Sequence, residues 1–315
     1  MRIFAVVKIE EAIQRFADHI TVERHLSPTT VRYYVREAED FAQYLASQEV
    51  TDIEKIEPYD VRDWLMVQME KNSPATVRKK HAALSAWITY LRKNKYLSRD
   101  IMAAISAPKT PERLPIFFRE SEVEHIYDDI YPPTYEGALA KLVLRMLYET
   151  GMRRSELTSL TVQDVNLSKL TIKVLGKGSK ERIIPIENEL AHNISQYLTL
   201  RDEKIAELQT QGKATSDTPQ LLINSKGRPV SDSKIYSIVE QYMPALSQAD
   251  RVSPHVFRHT FATHILSEGA DINAVKELLG HSSLDSTEIY THMSRERLKE
   301  TYKHAHPRAT KKIRR

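Results

Sequence analysis

The chain has no cysteine, which excludes disulfides, thiolate zinc sites and cysteine nucleophiles. Glycine is scarce, at 8 residues in 315, against a usual level of about 7%. That poverty argues against nucleotide cradles, propellers and turn-dense sandwiches, and it points to helices. No glycine is followed by another five positions later, so the phosphate loop of an ATPase is absent. No stretch longer than 11 residues lacks an acidic or basic residue, far short of a membrane span. The first residues reach Lys8 and Glu10 too soon for a signal peptide. A soluble cytoplasmic protein is expected. What remains is ordinary for a folded chain, 41% hydrophobic and 28% charged, and its length suggests two domains.

The formal net charge is only +4, yet the charge is unevenly placed. Lys71, Arg78, Lys79, Lys80, Arg92, Lys93, Lys95 and Arg99 fall in one segment with no acid between them. The last 15 residues hold six more lysines and arginines, again without an acid. One-sign segments in a nearly neutral protein suit a polyanion partner. The plain alternative is a solvated helix face. Trp87, Tyr90 and Tyr96 lie among these charges at helical spacing, which suits a core.

Residues 1–107 contain a repeat. Ser27-Pro28-Thr29-Thr30-Val31-Arg32 returns 46 positions later as Ser73-Pro74-Ala75-Thr76-Val77-Arg78. Serine as N-cap and proline as first helical residue predict two similar helices. With 11–24 and 60–70 also helical by pattern, the segment reads as a compact helical domain. Residues 108–115, with three prolines, read as an extended linker. Residues 116–315 form the second domain. A capping box is predicted at Ser121–Glu124, and an apolar helix over 139–148 should stop at Gly151. A short helix follows at 155–160. The β-branched runs 171–175 and 182–186 predict a hairpin, with 221–224 as a third strand. From Ser253-Pro254 the pattern is helical again, punctuated by Gly269 and Gly280.

Arg153, Lys177, His255, Arg258, His281 and Tyr290 each have a dull explanation alone. They read singly as surface arginines, a solvated turn lysine, ordinary histidines and a packing tyrosine. His255, His259 and His264 raise the question of a metal, but H-E-x-x-H is absent, and no metal is expected. As a set, two arginines, two histidines and a lysine could surround one phosphate. His255 and Arg258 share a face in the first turns of a helix, where the dipole favours an anion. Arginine forks match phosphate oxygens, and a tyrosine can attack to give a phosphotyrosyl intermediate. That bond retains the phosphodiester energy, so neither ATP nor any other cofactor is required.

The ordered set, with SPHVFRHTFATHIL, LLGHSSLDSTEIYTHM and KHAHPRA, closely resembles the tyrosine site-specific recombinases of the phage integrase family. Its Xer branch of chromosome-dimer resolvases is the nearest likeness. The resemblance implies a mainly α fold in two domains: a four-helix, SAM-like core-binding domain, then an α+β catalytic domain with a small antiparallel sheet. It implies that Arg153 and Arg258 clamp the scissile phosphate while Tyr290 attacks it. Lys177 then protonates the departing 5′ oxygen, His255 and His281 assist, and Glu156 supports the site. Arg78, Lys79, Lys80, Arg92, Lys93 and Lys95 are the candidates for contact with duplex DNA. The resemblance further implies a C-shaped clamp, four protomers on two DNA sites, a sister recombinase and a septal DNA translocase as partners, and no membrane or small-molecule substrate. Two departures stand out. Arg154 replaces a small aliphatic residue, either touching DNA or pairing with an acid, and the polar segment 201–219 is long. The rival readings are a mobile-element integrase, a non-catalytic DNA-binding regulator and a type IB topoisomerase.

Overall fold

The computed structural model describes residues 7–110, 116–128, 130–176, 180–213, 218–243 and 253–280. The chain divides into two compact units, 1–113 and 114–315. No helix among the described residues is long and apolar enough to cross a membrane.

The first unit is built from four helices: α1 (Ile9–Val22), α2 (Pro28–Ser47), α3 (Pro58–Lys71) and α4 (Pro74–Lys93). Both repeat copies start helices as their sequence predicts. The Ser27 hydroxyl accepts the Thr30 N–H at 3.3 Å, and Ser73 accepts that of Thr76 at 3.4 Å. Each bond satisfies an amide that would otherwise lack a partner at a helix start. The core gathers Phe16, Phe41, Trp64 and Trp87, with Phe41 packed edge-on against both tryptophans. Tyr90 is buried beside them and Tyr96 packs on their margin. The aromatic residues of the basic segment are therefore core.

One basic residue also turns inward. Glu37 of α2 is completely buried, and Lys80 of α4 bonds its Oε2. Arg36 reaches its Oε1 at 2.8 Å. Lys80 lies 3.3 Å from Asp40 as well and over the Trp64 ring. Its ammonium is thus engaged with two acids of α2, unlike the charged groups of its exposed neighbours Arg78 and Lys79.

In the second unit, α5 (Glu120–Glu124) precedes α6 (Tyr135–Thr150), which is buried almost all round. A helix of that kind belongs at the centre of a unit, and α6 packs against α8, α9 and α10. It ends at Gly151, whose φ of 59° is left-handed. Next come α7 (Arg154–Ser159) and a sheet of β1 (Val165–Asn166), β2 (Thr171–Leu175) and β3 (Glu181–Pro185), antiparallel in that order. The hairpin pairs Leu175 with Glu181 and Val174 with Arg182. Among the described residues, α8 (Asn188–Thr210), α9 (Asp232–Tyr242), α10 (Pro254–Ser267) and α11 (Ile272–Leu279) follow.

Two expectations need correction. The box at α5 lies earlier than Ser121: Glu122 reaches back to the Arg119 N–H at 2.8 Å. Residues 221–224 form no strand, because Leu221 bonds Leu160 and Ile223 makes only an isolated bridge to Pro229. β1 is the third strand instead, too short to show a period of two.

Candidate active site

The site forms where three segments converge on one helix end. Gly151 turns the chain sharply, and α7 then starts with Arg153 as its N-cap. Glu156 reaches back one turn, so its Oε2 accepts the Arg153 backbone N–H at 2.8 Å. Its Oε1 accepts the Arg153 guanidinium, also at 2.8 Å. One carboxylate thus fixes both the backbone and the side chain of Arg153.

The last turn of α11 supplies the next anchors. A helix C-terminus leaves carbonyls without intrahelical partners and carries partial negative charge. Three consecutive carbonyls there are taken by three different arginines. Arg182 donates to Leu278 at 2.7 Å, Arg258 to Leu279 at 2.6 Å, and Arg153 to Gly280 at 3.3 Å. Arg258, on the second turn of α10 and mostly buried, also donates to Gly151 at 2.9 Å. Arg153 and Arg258, the two arginines singled out in the sequence, therefore meet on one helix end. Each holds the protein through part of its fork.

The electrostatics follow from this crowding. Burial, then the positive charges of Arg153 and Arg182, bring Arg258 down to about 10, with Glu156 opposing. Burial works against the charge of Glu156, but the hydrogen bonds from Arg182 and the Arg153 backbone outweigh it and hold its carboxyl below the usual range. His255 stands on the exposed side of the first turn of α10. Partial desolvation, then repulsion from Arg154, Arg258 and Arg153, holds its imidazole below the ordinary histidine value. It therefore stays neutral and able to accept a proton to lower pH than a free histidine.

Lys177, His281 and Tyr290 lie outside the described residues. Gly176, which precedes Lys177 in the chain, is described: a Cβ placed on it would come 3.6 Å from Arg182 Nη1 and 3.8 Å from Glu156 Oε1. Gly280, which precedes His281, adopts φ 64° and abuts the same Arg182 guanidinium. Sequence reasoning missed Arg182. Its contacts lie 26 and 96 positions away, and an arginine at the start of a strand carries no local signal.

The other singled-out residues divide. Arg154 pairs with Asp232 at 2.9 Å and lies over the Tyr236 ring, so the acid-pairing reading of this departure stands. His264 is structural, set between the Tyr148 hydroxyl and the Phe118 carbonyl. In the first unit Arg78, Lys79, Lys93 and Lys95 are exposed, while Arg92 is paired with Asp100.

Known proteins resemble the chain along nearly all its length. The model of the phage integrase family matches residues 117–297, and that of the phage integrase N-terminal SAM-like domain matches 13–95. Tyrosine recombinase XerC of Bacillus subtilis (strain 168) is 35% identical over 307 residues, covering 96% of this chain and 99% of its own. XerC of Oceanobacillus iheyensis is 36% identical over 305 residues, covering 96% and 98%. Among solved structures, a XerH site-specific recombinase bound to difH substrate superposes with a TM-score of 0.66 at 22% identity, covering 86% of this chain and 79% of that one. A lambda integrase tetramer bound to a Holliday junction gives 0.66 at 16%, covering 90% and 80%. At those identities the likeness to both solved structures is one of fold.

Proposed function

The chain belongs to the phage integrase family and is a tyrosine site-specific recombinase, and on that premise we propose which residues carry the strand exchange and on what DNA. The observation that carries the assignment is the meeting of Arg153 and Arg258 on the end of α11, with Glu156 holding the first. Guanidinium groups held this way can grip the nonbridging oxygens of a phosphodiester and stabilise the charge that grows on them in the transition state. Tyr290 attacks the phosphorus. A 3′-phosphotyrosyl bond forms as the bond to the 5′ oxygen breaks, and Lys177 protonates that oxygen. His255, kept neutral, and His281 hydrogen-bond the phosphate and move the nucleophile's proton. A 5′ hydroxyl from the partner duplex then reverses the sequence of steps, so no cofactor enters.

The N-terminal unit grips the duplex, 108–115 acts as linker and 116–315 carries the chemistry. Four protomers assemble on two sites, a reading that the lambda integrase tetramer bound to a Holliday junction supports. The XerC relatives, matched over 96% of this chain, support chromosome-dimer resolution, and we propose that it proceeds in the cytoplasm with a sister recombinase and a septal translocase as partners.

The test uses a nicked suicide substrate, recovered from DNA that the protein selects. Wild type forms a detergent-resistant protein–DNA adduct, and Tyr290→Phe binds the same DNA but forms none. An adduct of normal yield from Tyr290→Phe refutes the assignment of the nucleophile.

A further inference from the structure

We infer that Arg182 is a positioning residue for strand cleavage, joining the supports of the phosphate clamp, the hairpin and the end of α11 in one side chain. The inference rests on the recombinase reading above and adds a residue to it. Arg182 stands on β3, opposite Val174. Its Nη1 and Nη2 donate to the two oxygens of Glu156 at 3.0 and 2.7 Å, while Nε donates to the Leu278 carbonyl at 2.7 Å. Every side of this fork is engaged with protein.

Glu156 accepts four N–H groups on two oxygens, two from Arg153 and two from Arg182. Four is the number of lone pairs a carboxylate has to offer. With Arg182 in place, Glu156 cannot rotate without breaking bidentate bonds, and Arg153 keeps one orientation. With Arg182 gone, the carboxylate has two spare acceptor sites and only Arg153 to fill them. Arg153 would then be drawn further onto Glu156 and away from a bound phosphate.

The same guanidinium lies beside the residue before each of two proposed catalytic groups: a Cβ on Gly176, before Lys177, would come 3.6 Å from its Nη1, and one on Gly280, before His281, 3.2 Å. A displacement of Arg182 therefore reaches the clamp, the hairpin root and the end of α11 together. Lysine cannot replace it, since one ammonium cannot span both Glu156 oxygens and the Leu278 carbonyl.

The experiment compares full-length Arg182→Gln and Arg182→Lys with wild type on the nicked substrate, measuring DNA affinity and the single-turnover rate of adduct formation. A misplacement of about 1 Å can cost about 10²-fold in rate. Both variants are expected to lose about that factor while binding DNA within about twofold of wild type. In an Arg153→Ala background, adding Arg182→Gln should cost clearly less than it does in wild type, because the two residues act largely as a unit. A sulfur-bridged 5′ leaving group should not restore the Arg182→Gln rate.

A wild-type protein that forms no adduct overturns the recombinase reading and the inference with it. An active wild type accompanied by full-rate Arg182→Lys overturns the inference alone. So do additive losses in the double variant, which would mean a role independent of Arg153. If Arg182→Gln fails to bind DNA, Arg182→Lys decides, because it keeps the charge beside Glu156.

Discussion

Arg258 and Gly151 lie 107 positions apart, yet the guanidinium of the first donates to the carbonyl of the second at 2.9 Å. The residue that stops α6 thus also anchors one of the two arginines proposed to clamp the phosphate. A glycine is required there twice over, by its left-handed φ of 59° and by the lack of space for a Cβ. Phe261 and Leu279 occupy that space, with Leu279 Cδ2 only 2.9 Å away.

Gly151→Ala should therefore be costly. A non-glycine residue in the left-handed region costs about 1–2 kcal/mol, and overpacking adds about 1–3 kcal/mol. Denaturant unfolding should show a loss of about 2–5 kcal/mol. Gly269→Ala is the control: its φ is 86° but nothing lies within 4 Å, so only the backbone cost applies. Equal losses at the two sites would contradict the packing argument.

The pH response of His255 follows from its depressed value. The folded protein holds it neutral where the unfolded chain would protonate it. Its contribution to stability is present above the ordinary histidine value of about 6.5 and is lost as pH falls below it. Arg154→Gln removes one of the three repelling charges, so the His255 midpoint should move up toward that ordinary value. Histidine ring signals in an NMR titration report the shift directly. The acid limb of the adduct-formation rate should move the same way. A midpoint that stays or falls would count against the electrostatic account.

Affinity for DNA should separate neighbouring residues of α4. Arg78 and Lys79 are exposed, so replacing both with Ala should flatten the log–log salt slope by about 2 units, close to 0.9 per phosphate. Lys80→Ala should leave the slope alone and lower stability instead. Stripping a partner from a buried charge costs about 3–5 kcal/mol, with Arg36 still on Glu37 keeping the loss near the lower end. A flattened slope for Lys80→Ala alone would reverse this division.

Lys177 is tested through its leaving group. Loss of a general acid typically costs about 10²–10⁴-fold. Lys177→Ala should show that loss on ordinary DNA and recover most of its rate on a substrate with sulfur at the bridging 5′ position, since a thiolate leaves without a proton. Arg153→Ala should stay slow on both. Lys180, exposed on the same hairpin, serves as the charge control. Arg182 cannot serve, being bonded to Glu156. Equal defects of Lys177→Ala on both substrates would remove the general-acid role.

What the sequence reveals is what the chain decides locally. Ser27 and Ser73 cap their helices through a neighbour three residues on, and Gly151 ends α6 by its own backbone freedom, so these features are legible without a structure. Arg153 and Glu156 are also three apart, and their pairing is a local box. The third strand is misread because burial of Leu221 and Leu222 in the core gives a β-like apolar run with no sheet partner. Lys80 and Arg182 are illegible for the same reason as each other. Each is defined by an acid on another element, Glu37 on α2 or Glu156 on α7, which no local pattern brings into view.

The arginine-capped end of α11 also bears on how the protein comes to be active. The bonds from Arg153, Arg258 and Arg182 that complete it close loops of 127, 21 and 96 residues. Long loops are entropically costly to close and delay assembly. A nascent chain exposes Arg153 and Arg182 well before the ribosome has released residues 278–280, so it holds two guanidinium groups without their helix end. Such a chain can attract a phosphate by charge, but its arginines lack the anchors that aim them. The aimed arrangement of the three guanidinium groups thus waits for residues 278–280, and a chain that stops before them lacks it.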